Sequence, residues 1–240
     1  MTRDTSNTWL AGADQVTRYL SHADVVIVER ARTMRLLGDL FGYHFGERKG
    51  LQILDLGGGD GIIAAYLNER HPGQAITLLD GSADMLQRAR ERLAGQAITF
   101  VQRTFEEYVT EEPADQTYDF VFSANALHHL DLPAKSQVFA KLFRELRFGG
   151  ALLIADVVKP VSERSERWQL AMWRDWMNER LAQIGAEVGE YDGLPEMAIA
   201  KPENKPSGLV DQLELLERIG FRDVDCFHKY GVFALFGGTK

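Results

Sequence analysis

Apolar residues recur along the chain in two rhythms. Short apolar runs of strand length at 51–56, 75–79, 97–102, 118–123 and 151–155 alternate with stretches where apolar side chains return every three or four residues. Those helical stretches fall at 62–70, 82–94, 133–147 and 209–219. Strand and helix in strict alternation predict βαβ units, hence an α/β fold with a doubly wound, largely parallel sheet. Before residue 50 the pattern is helical. Trp9, Leu10, Val16, Tyr19 and Leu20 predict one short helix, Ser21 and Asp24 have the spacing of a capping box, and Ala31, Met34, Leu37, Phe41 and Phe45 return at helical spacing.

After residue 157 the sheet pattern stops for some fifty residues. Leu170, Trp173, Met177, Leu181 and Ile184 form one helical stripe, with Trp168, Met172 and Trp176 forming a second beside it. A helix apolar over that much of its circumference packs on two things at once. A loop-rich stretch at 185–207 follows, with Gly189, Gly193, Pro195, Pro202 and Pro206. Strands at 222–230 and 232–236 then meet near Gly231. The organisation read from this pattern is an N-terminal helical cover over 1–48, a core of 49–158 and 208–240, and an insertion at 159–207. The insertion reads either as a lid above the strand tips that sets the substrate, or as a homodimer face through 162–184.

Candidate chemistry gathers at strand ends. The stretch LQILDLGGGDG, Leu51 to Gly61, runs a buried strand into a turn in which Gly57, Gly58, Gly59 and Gly61 permit tight dihedrals and let a ligand lie against the main chain. A dinucleotide fingerprint requires glycine at the sixth position, which here is Ile62. Asp55 and Asp60 add negative charge, poor for a diphosphate and suited to a cationic ligand. Asp80 ends the second strand nineteen residues after Gly61, where a carboxylate accepts from ribose hydroxyls. Ser82 caps the following helix, which leaves Gly81 and Met85 beside whatever Asp80 holds.

Charge and cysteine content narrow the partners. A formal charge of -8 argues against a broad nucleic-acid footprint and for a small-molecule partner. Cys226 is the sole cysteine, so no intramolecular disulfide forms, and no apolar run nears membrane-spanning length. A cytoplasmic protein without a metal site is the expectation.

The pattern Asp55-x-Gly57-x-Gly59-x-Gly61 resembles motif I of the class I methyltransferases that use S-adenosylmethionine, a ligand with a sulfonium and an ammonium and no phosphate. DGSADML, from Asp80, resembles the family segment after the ribose-binding acid, in which Met85 packs on adenine; NALHHL, from Asn125, resembles motif IV, with Asn125 beside the methionine end of the cofactor. The resemblance implies a Rossmann-like seven-stranded sheet with an antiparallel last strand, S-adenosylmethionine as cofactor, and in-line SN2 transfer to a small-molecule acceptor.

Two positions depart from the family pattern. Thr104 stands where many members carry an Asp that bonds the adenine amino group, with Phe105 left to stack on the ring, and Phe148 replaces a turn proline. Arg18, Tyr19 and His44 of the helical cover are further candidates for the cofactor. A first-His plus strand-five-Asp pairing occurs in some small-molecule O-methyltransferases of this fold, which makes His128 the candidate base and Asp156 its orienter. The alternative is that either His128 or His129 simply bonds the backbone. Readings as an enzyme forming carboxy-S-adenosylmethionine for tRNA modification, or as a non-catalytic binding module, stay open. So does the choice among O-, N- and C-methylation.

Overall fold

A computed structural model describes residues 23–112 and 117–240. The helix expected from Trp9 to Leu20, the roles expected of Arg18 and Tyr19, and the Ser21 end of the capping box lie outside them.

The elements in chain order are α1 (Arg30–Phe45), β1 (Gln52–Leu56), α2 (Ile62–Arg70), β2 (Ala75–Asp80), α3 (Ala83–Arg92), β3 (Ile98–Gln102), α4 (Phe105–Thr110) and β4 (Tyr118–Ala124). Then come α5 (Leu132–Glu145), β5 (Leu146–Val157), α6 (Glu163–Gln183), α7 (Leu194–Ala200), α8 (Leu209–Ile219), β6 (Arg222–Tyr230) and β7 (Phe233–Thr239). They build one seven-stranded sheet in the order β3-β2-β1-β4-β5-β7-β6. β1 to β5 run parallel, β7 is antiparallel to β5, and β6 is antiparallel to β7. The expected doubly wound sheet with its antiparallel final strand is therefore the observed fold.

Both faces of the sheet are covered, which explains why the strands read as continuous apolar runs. The twofold period of the strands divides their side chains between two cores. Ile53, Phe120, Phe122 and Leu153 face α1, α2 and α3 through Leu37, Phe41, Leu67 and Leu86. Leu54, Val121, Leu152 and Ile154 face α5 and α8 through Phe139, Leu142, Leu215 and Leu216. Removing each such side chain from water contributes about 1.5–3 kcal/mol, enough to fix which face is which. A one-residue slip would exchange the two faces.

The stripe Leu170, Trp173, Met177 and Leu181 of α6 is buried against Val25, Val28 and Val232. The Trp173 indole N–H donates to the Val26 carbonyl at 2.8 Å. The second stripe divides: Trp168 is 59% exposed, whereas Trp176 packs edge-on to Tyr230. The following loop is held by polar contacts, with Arg174 and Asn178 both donating to Asp192. The stretch 159–207 leaves and returns at one place, since the Lys159 amide donates to the Ser207 carbonyl at 2.9 Å. Among the described residues, no helix is long and apolar enough to cross a membrane.

Several boundaries differ from expectation for local reasons. The helix expected over 133–147 stops at Glu145, because Leu146 already pairs with Tyr118 in the sheet. A short helix, α7, lies in the stretch expected to be loop, started by Gly193 with Pro195 in its first turn. The last strand continues to Thr239 through Gly237 and Gly238, residues that read as turn in a sequence but here allow close approach to β5 and β6. His44, a candidate for the cofactor, is at the wrong end of the molecule. The N-terminal end of α1 borders the strand tips through Arg30, while His44, four turns on, donates from Nε2 to the Gly149 carbonyl at 2.8 Å.

Candidate functional site

β1 lies between β2 and β4, so the connections leaving its neighbours diverge and open a crevice at the C-terminal strand edge. The glycine turn fills the floor of that crevice. Gly57, Gly59 and Gly61 have φ of 74°, 56° and 74°, the left-handed region that other residues adopt at a cost. The amides of Gly57 and Gly58 donate to the Leu79 carbonyl, which docks the turn on β2. A Cβ on Gly57 would lie 2.5 Å from the Ala126 methyl carbon, and one on Gly58 would lie 2.7 Å from Asp55 Oδ2. A Cβ on Gly59 would meet no protein atom within 4 Å, so this peptide is bare toward the crevice.

The crevice is a cleft of about 330 Å³. Nine of the residues expected around a cofactor line it: Gly57, Gly58 and Gly59 from the turn, Asp80, Gly81 and Met85 from the β2 tip, Thr104 and Phe105 after β3, and Asn125 after β4. Asp80 is anchored from both sides, Oδ2 accepting from Gly59 N and Oδ1 from Ser82 N, each at 2.8 Å. Ser82 Oγ in turn accepts from the Met85 amide, capping α3. Thr104 is engaged in a complete capping box with Glu107 at the start of α4, so its hydroxyl oxygen already serves a backbone N–H.

Three carboxyl groups gather at the turn, those of Asp55, Asp60 and Asp80. Asp55 is buried, its Oδ2 has no hydrogen-bond partner, and burial followed by the charges of Asp80 and Asp60 holds its pKa well above the usual carboxylate range. Asp80 is raised too, by burial, against the lowering effect of the Ser82 and Gly59 amides. Asp60 is ion-paired with Arg92.

The second cluster stands at the tips of β4 and β5. Asn125 adopts φ 51° while its amide donates to the Ala155 carbonyl, and this turns the chain into a 3-10 turn over Leu127–His129. His128 Nδ1 lies 2.6 Å from Asp156 Oδ1, which also accepts from the Val157 amide at 2.8 Å. Burial pushes the Asp156 carboxyl up, but the charge and hydrogen bond of His128 outweigh it and the pKa lies below the ordinary value. The pair expected from sequence is thus brought together, although neither member lines the cleft. His129 does. Its ring centroid is 3.9 Å from that of His128, its Nδ1 donates to the Glu203 carbonyl at 3.2 Å, and burial together with neighbouring His128 lowers its pKa to about 3.

Four residues border this arrangement without any signal in the sequence pattern: Arg30 at the start of α1, Glu203 and Lys205 from the end of the insertion, and Lys135 in α5. Lys135 is 1% exposed, and its ammonium donates to the Leu130 and Lys205 carbonyls and to Ser207 Oγ, tying the insertion to the histidine turn. Burial lowers its pKa to about 8. Trp168, Trp173, Trp176 and Tyr191, which would have signalled an aromatic acceptor had they faced the pocket, line no wall of the cleft.

Residues 53–150 match the family described as "Methyltransferase domain". An uncharacterized methyltransferase of Mycobacterium tuberculosis is 33% identical over 121 residues, 50% of this chain and 57% of that protein. A phosphoethanolamine N-methyltransferase of Plasmodium falciparum is 30% identical over 105 residues, 44% of this chain and 38% of that protein. The chain thus spans less than two thirds of these curated relatives. Among solved structures, a putative S-adenosyl-L-methionine-dependent methyltransferase of Methanococcus maripaludis superposes with a TM-score of 0.63 at 16% identity, covering 100% of this chain and 98% of that one. A Haemonchus contortus phosphoethanolamine N-methyltransferase in complex with phosphomonomethylethanolamine and S-adenosylhomocysteine gives 0.60 at 20% identity, covering 93% of this chain and 44% of that one.

Proposed function

We propose that this chain is an S-adenosylmethionine-dependent methyltransferase of the class I fold, acting on a small-molecule acceptor. The observation that carries the reading is the convergence of nine residues, from four separated stretches of sequence, on the walls of one cleft. The match of residues 53–150 to a methyltransferase domain supports it.

The cleft fits the cofactor chemically. A bare glycine peptide admits a ligand against the main chain, and the Asp80 carboxyl at the cleft wall is an acceptor that suits hydroxyls and repels a diphosphate. Asp80 accepts the ribose hydroxyls on the lone pairs its two amide contacts leave over. Met85 and Phe105 flank the adenine, and Asn125 stands by the methionine end. Bound there, S-adenosylmethionine supplies a sulfonium methyl group open to in-line displacement.

The chain's own work is to position, to exclude water and to take a proton. With Asp156 accepting from Nδ1, His128 holds its lone pair on Nε2, the tautomer required of a general base. His129 stays neutral at the cleft wall. The stretch 203–207, bonded to His128 through the Lys205 amide at 2.6 Å and held by Lys135, closes the acceptor side.

Methyl release measured against a panel of amine, hydroxyl and activated-carbon acceptors tests the reading. Turnover of one class, lowered about 100-fold in His128→Ala, supports it. Tight S-adenosylhomocysteine binding without turnover of any acceptor would instead favour a binding module.

A further inference from the structure

Helix α6 turns Leu170, Trp173, Met177 and Leu181 inward and leaves a second stripe in water. Steps of three and four residues put Arg164, Trp168, Met172, Asp175 and Glu179 on that outward face, and all five are exposed. Trp168 is 59% exposed and Met172 39%, and Val161, just ahead of the helix, extends the apolar surface. Burying a large apolar side chain stabilises by about 1.5–3 kcal/mol, which this face forgoes while it stays in water.

Charge on the face is ordered. Arg164 stands at the N-terminal end, its guanidinium carbon 4.8 Å from the Trp168 ring centroid, and Asp175 and Glu179 stand toward the C-terminal end. Among the described residues, none of these three forms an ion pair; the pair that α6 does make, Arg174 with Glu196, lies off the stripe. At about 1.5 Å per residue, about 16 Å of helix separates Arg164 from Asp175, too far for the two side chains to meet within one chain. A face positive at one end, negative at the other and apolar between is complementary to itself when turned end for end.

We propose that this face pairs with a second copy of the same chain, α6 against α6 in antiparallel sense, to form a homodimer. The proposal goes beyond the methyltransferase reading and stands independently of it. With the two-fold axis midway between Trp168 and Met172, each Trp168 meets the other copy's Met172, and each Arg164 comes beside the other copy's Asp175, with Glu179 one turn further on. An anionic membrane would meet Asp175 and Glu179, and a partner of single charge sign would satisfy one end of the stripe only. None of the five residues lines the cleft, so pairing consumes no site residue. One helix face buries less than the roughly 1,600 Å² of a standard interface, so the dimer is weak, with a dissociation constant of about 10–100 µM.

Sedimentation velocity of the full chain from about 5 to 500 µM reads the association, and the expected result is a monomer at the low end that passes to a dimer at the high end. Trp168→Ser and Met172→Glu each weaken the dimer about tenfold or more. Arg164→Glu and Asp175→Arg each weaken it about three- to tenfold, because like charges then face each other across the axis, and combining the two recovers most of the loss. That recovery is the discriminating result, since only pairing between copies brings the two positions together. A chain monomeric across the whole range, a dimer that survives Trp168→Ser, or a charge-exchanged double variant as weak as the two single losses combined would overturn the proposal. Should Met172→Glu fail to fold, Trp168→Ser and the charge exchange decide.

Discussion

His128 and Asp156 stand 28 positions apart in sequence, at the tips of adjacent parallel strands, and meet with Nδ1 and Oδ1 2.6 Å apart. Two links of different kinds produce the contact: strand register aligns the tips, and the left-handed Asn125 turns the chain so that the ring points back toward β5. The proton between them gives a downfield imidazole NH resonance that disappears in Asp156→Ala. With an acceptor in hand, His128→Ala lowers kcat about 100-fold, the usual loss for a missing general base, with little change in cofactor affinity.

The glycine turn separates fold from ligand binding. Gly59→Ala costs about 1–2 kcal/mol of stability, the penalty of a left-handed alanine, but its methyl group points into the cleft and weakens S-adenosylmethionine binding at least tenfold. Gly57→Ala adds a clash with Ala126 to the same backbone penalty and destabilises the protein more. Thermal unfolding and ligand titration of the two variants, compared side by side, check the distinction.

Asp55 keeps its proton to higher pH in the folded chain than in the unfolded one. The folded state therefore binds more protons, and this group's contribution to stability is lost as pH rises from its ordinary value of 3.8 through the raised one. Asp55→Asn removes the loss. Its Tm advantage over the unsubstituted protein grows between about pH 4 and pH 7; an advantage that shrinks over that range would contradict the burial argument.

His129 acts in the opposite sense. Its folded pKa of about 3 lies below the ordinary 6.5, so its contribution is fully present above 6.5 and drains away as pH falls toward 3. His129→Gln flattens the acid limb of the stability curve, measured by chemical denaturation across that interval.

Lys135 holds the end of the insertion on the histidine turn. Lys135→Met leaves the Leu130 and Lys205 carbonyls without their donor, and hydrogen exchange of the Lys205 amide quickens about tenfold or more while the β1 and β4 amides keep their protection. Unchanged exchange at Lys205 would mean that other contacts hold the segment.

What was legible in the sequence followed from local physics. Short apolar runs alternating with helical spacing gave the parallel strands, and Gly57 to Gly61 gave the turn, because each is a demand of burial or backbone met by residue type. The nine cleft residues were legible because they sit at strand tips, which any doubly wound sheet gathers on one edge. Residues brought in from outside that logic were not. His129 looks identical to His128 in sequence, and a third of a turn of 3-10 helix decides which of them borders the cleft. Arg30, Glu203, Lys205 and Lys135 reach the site through the packing of α1, the insertion and α5, and no periodicity records such contacts. Gly237 and Gly238 misled for a related reason: a glycine required by close strand approach is indistinguishable in sequence from one that ends a strand.

The central claim is that the glycine turn and Asp80 form an S-adenosylmethionine site, and calorimetric titration with S-adenosylmethionine and S-adenosylhomocysteine tests it most directly. Micromolar binding of both by the unsubstituted protein, weakened by about two orders of magnitude in a folded Asp80→Ala, is the expected result. Folded protein that binds neither ligand, or an Asp80→Ala that binds both as tightly as before, would contradict it.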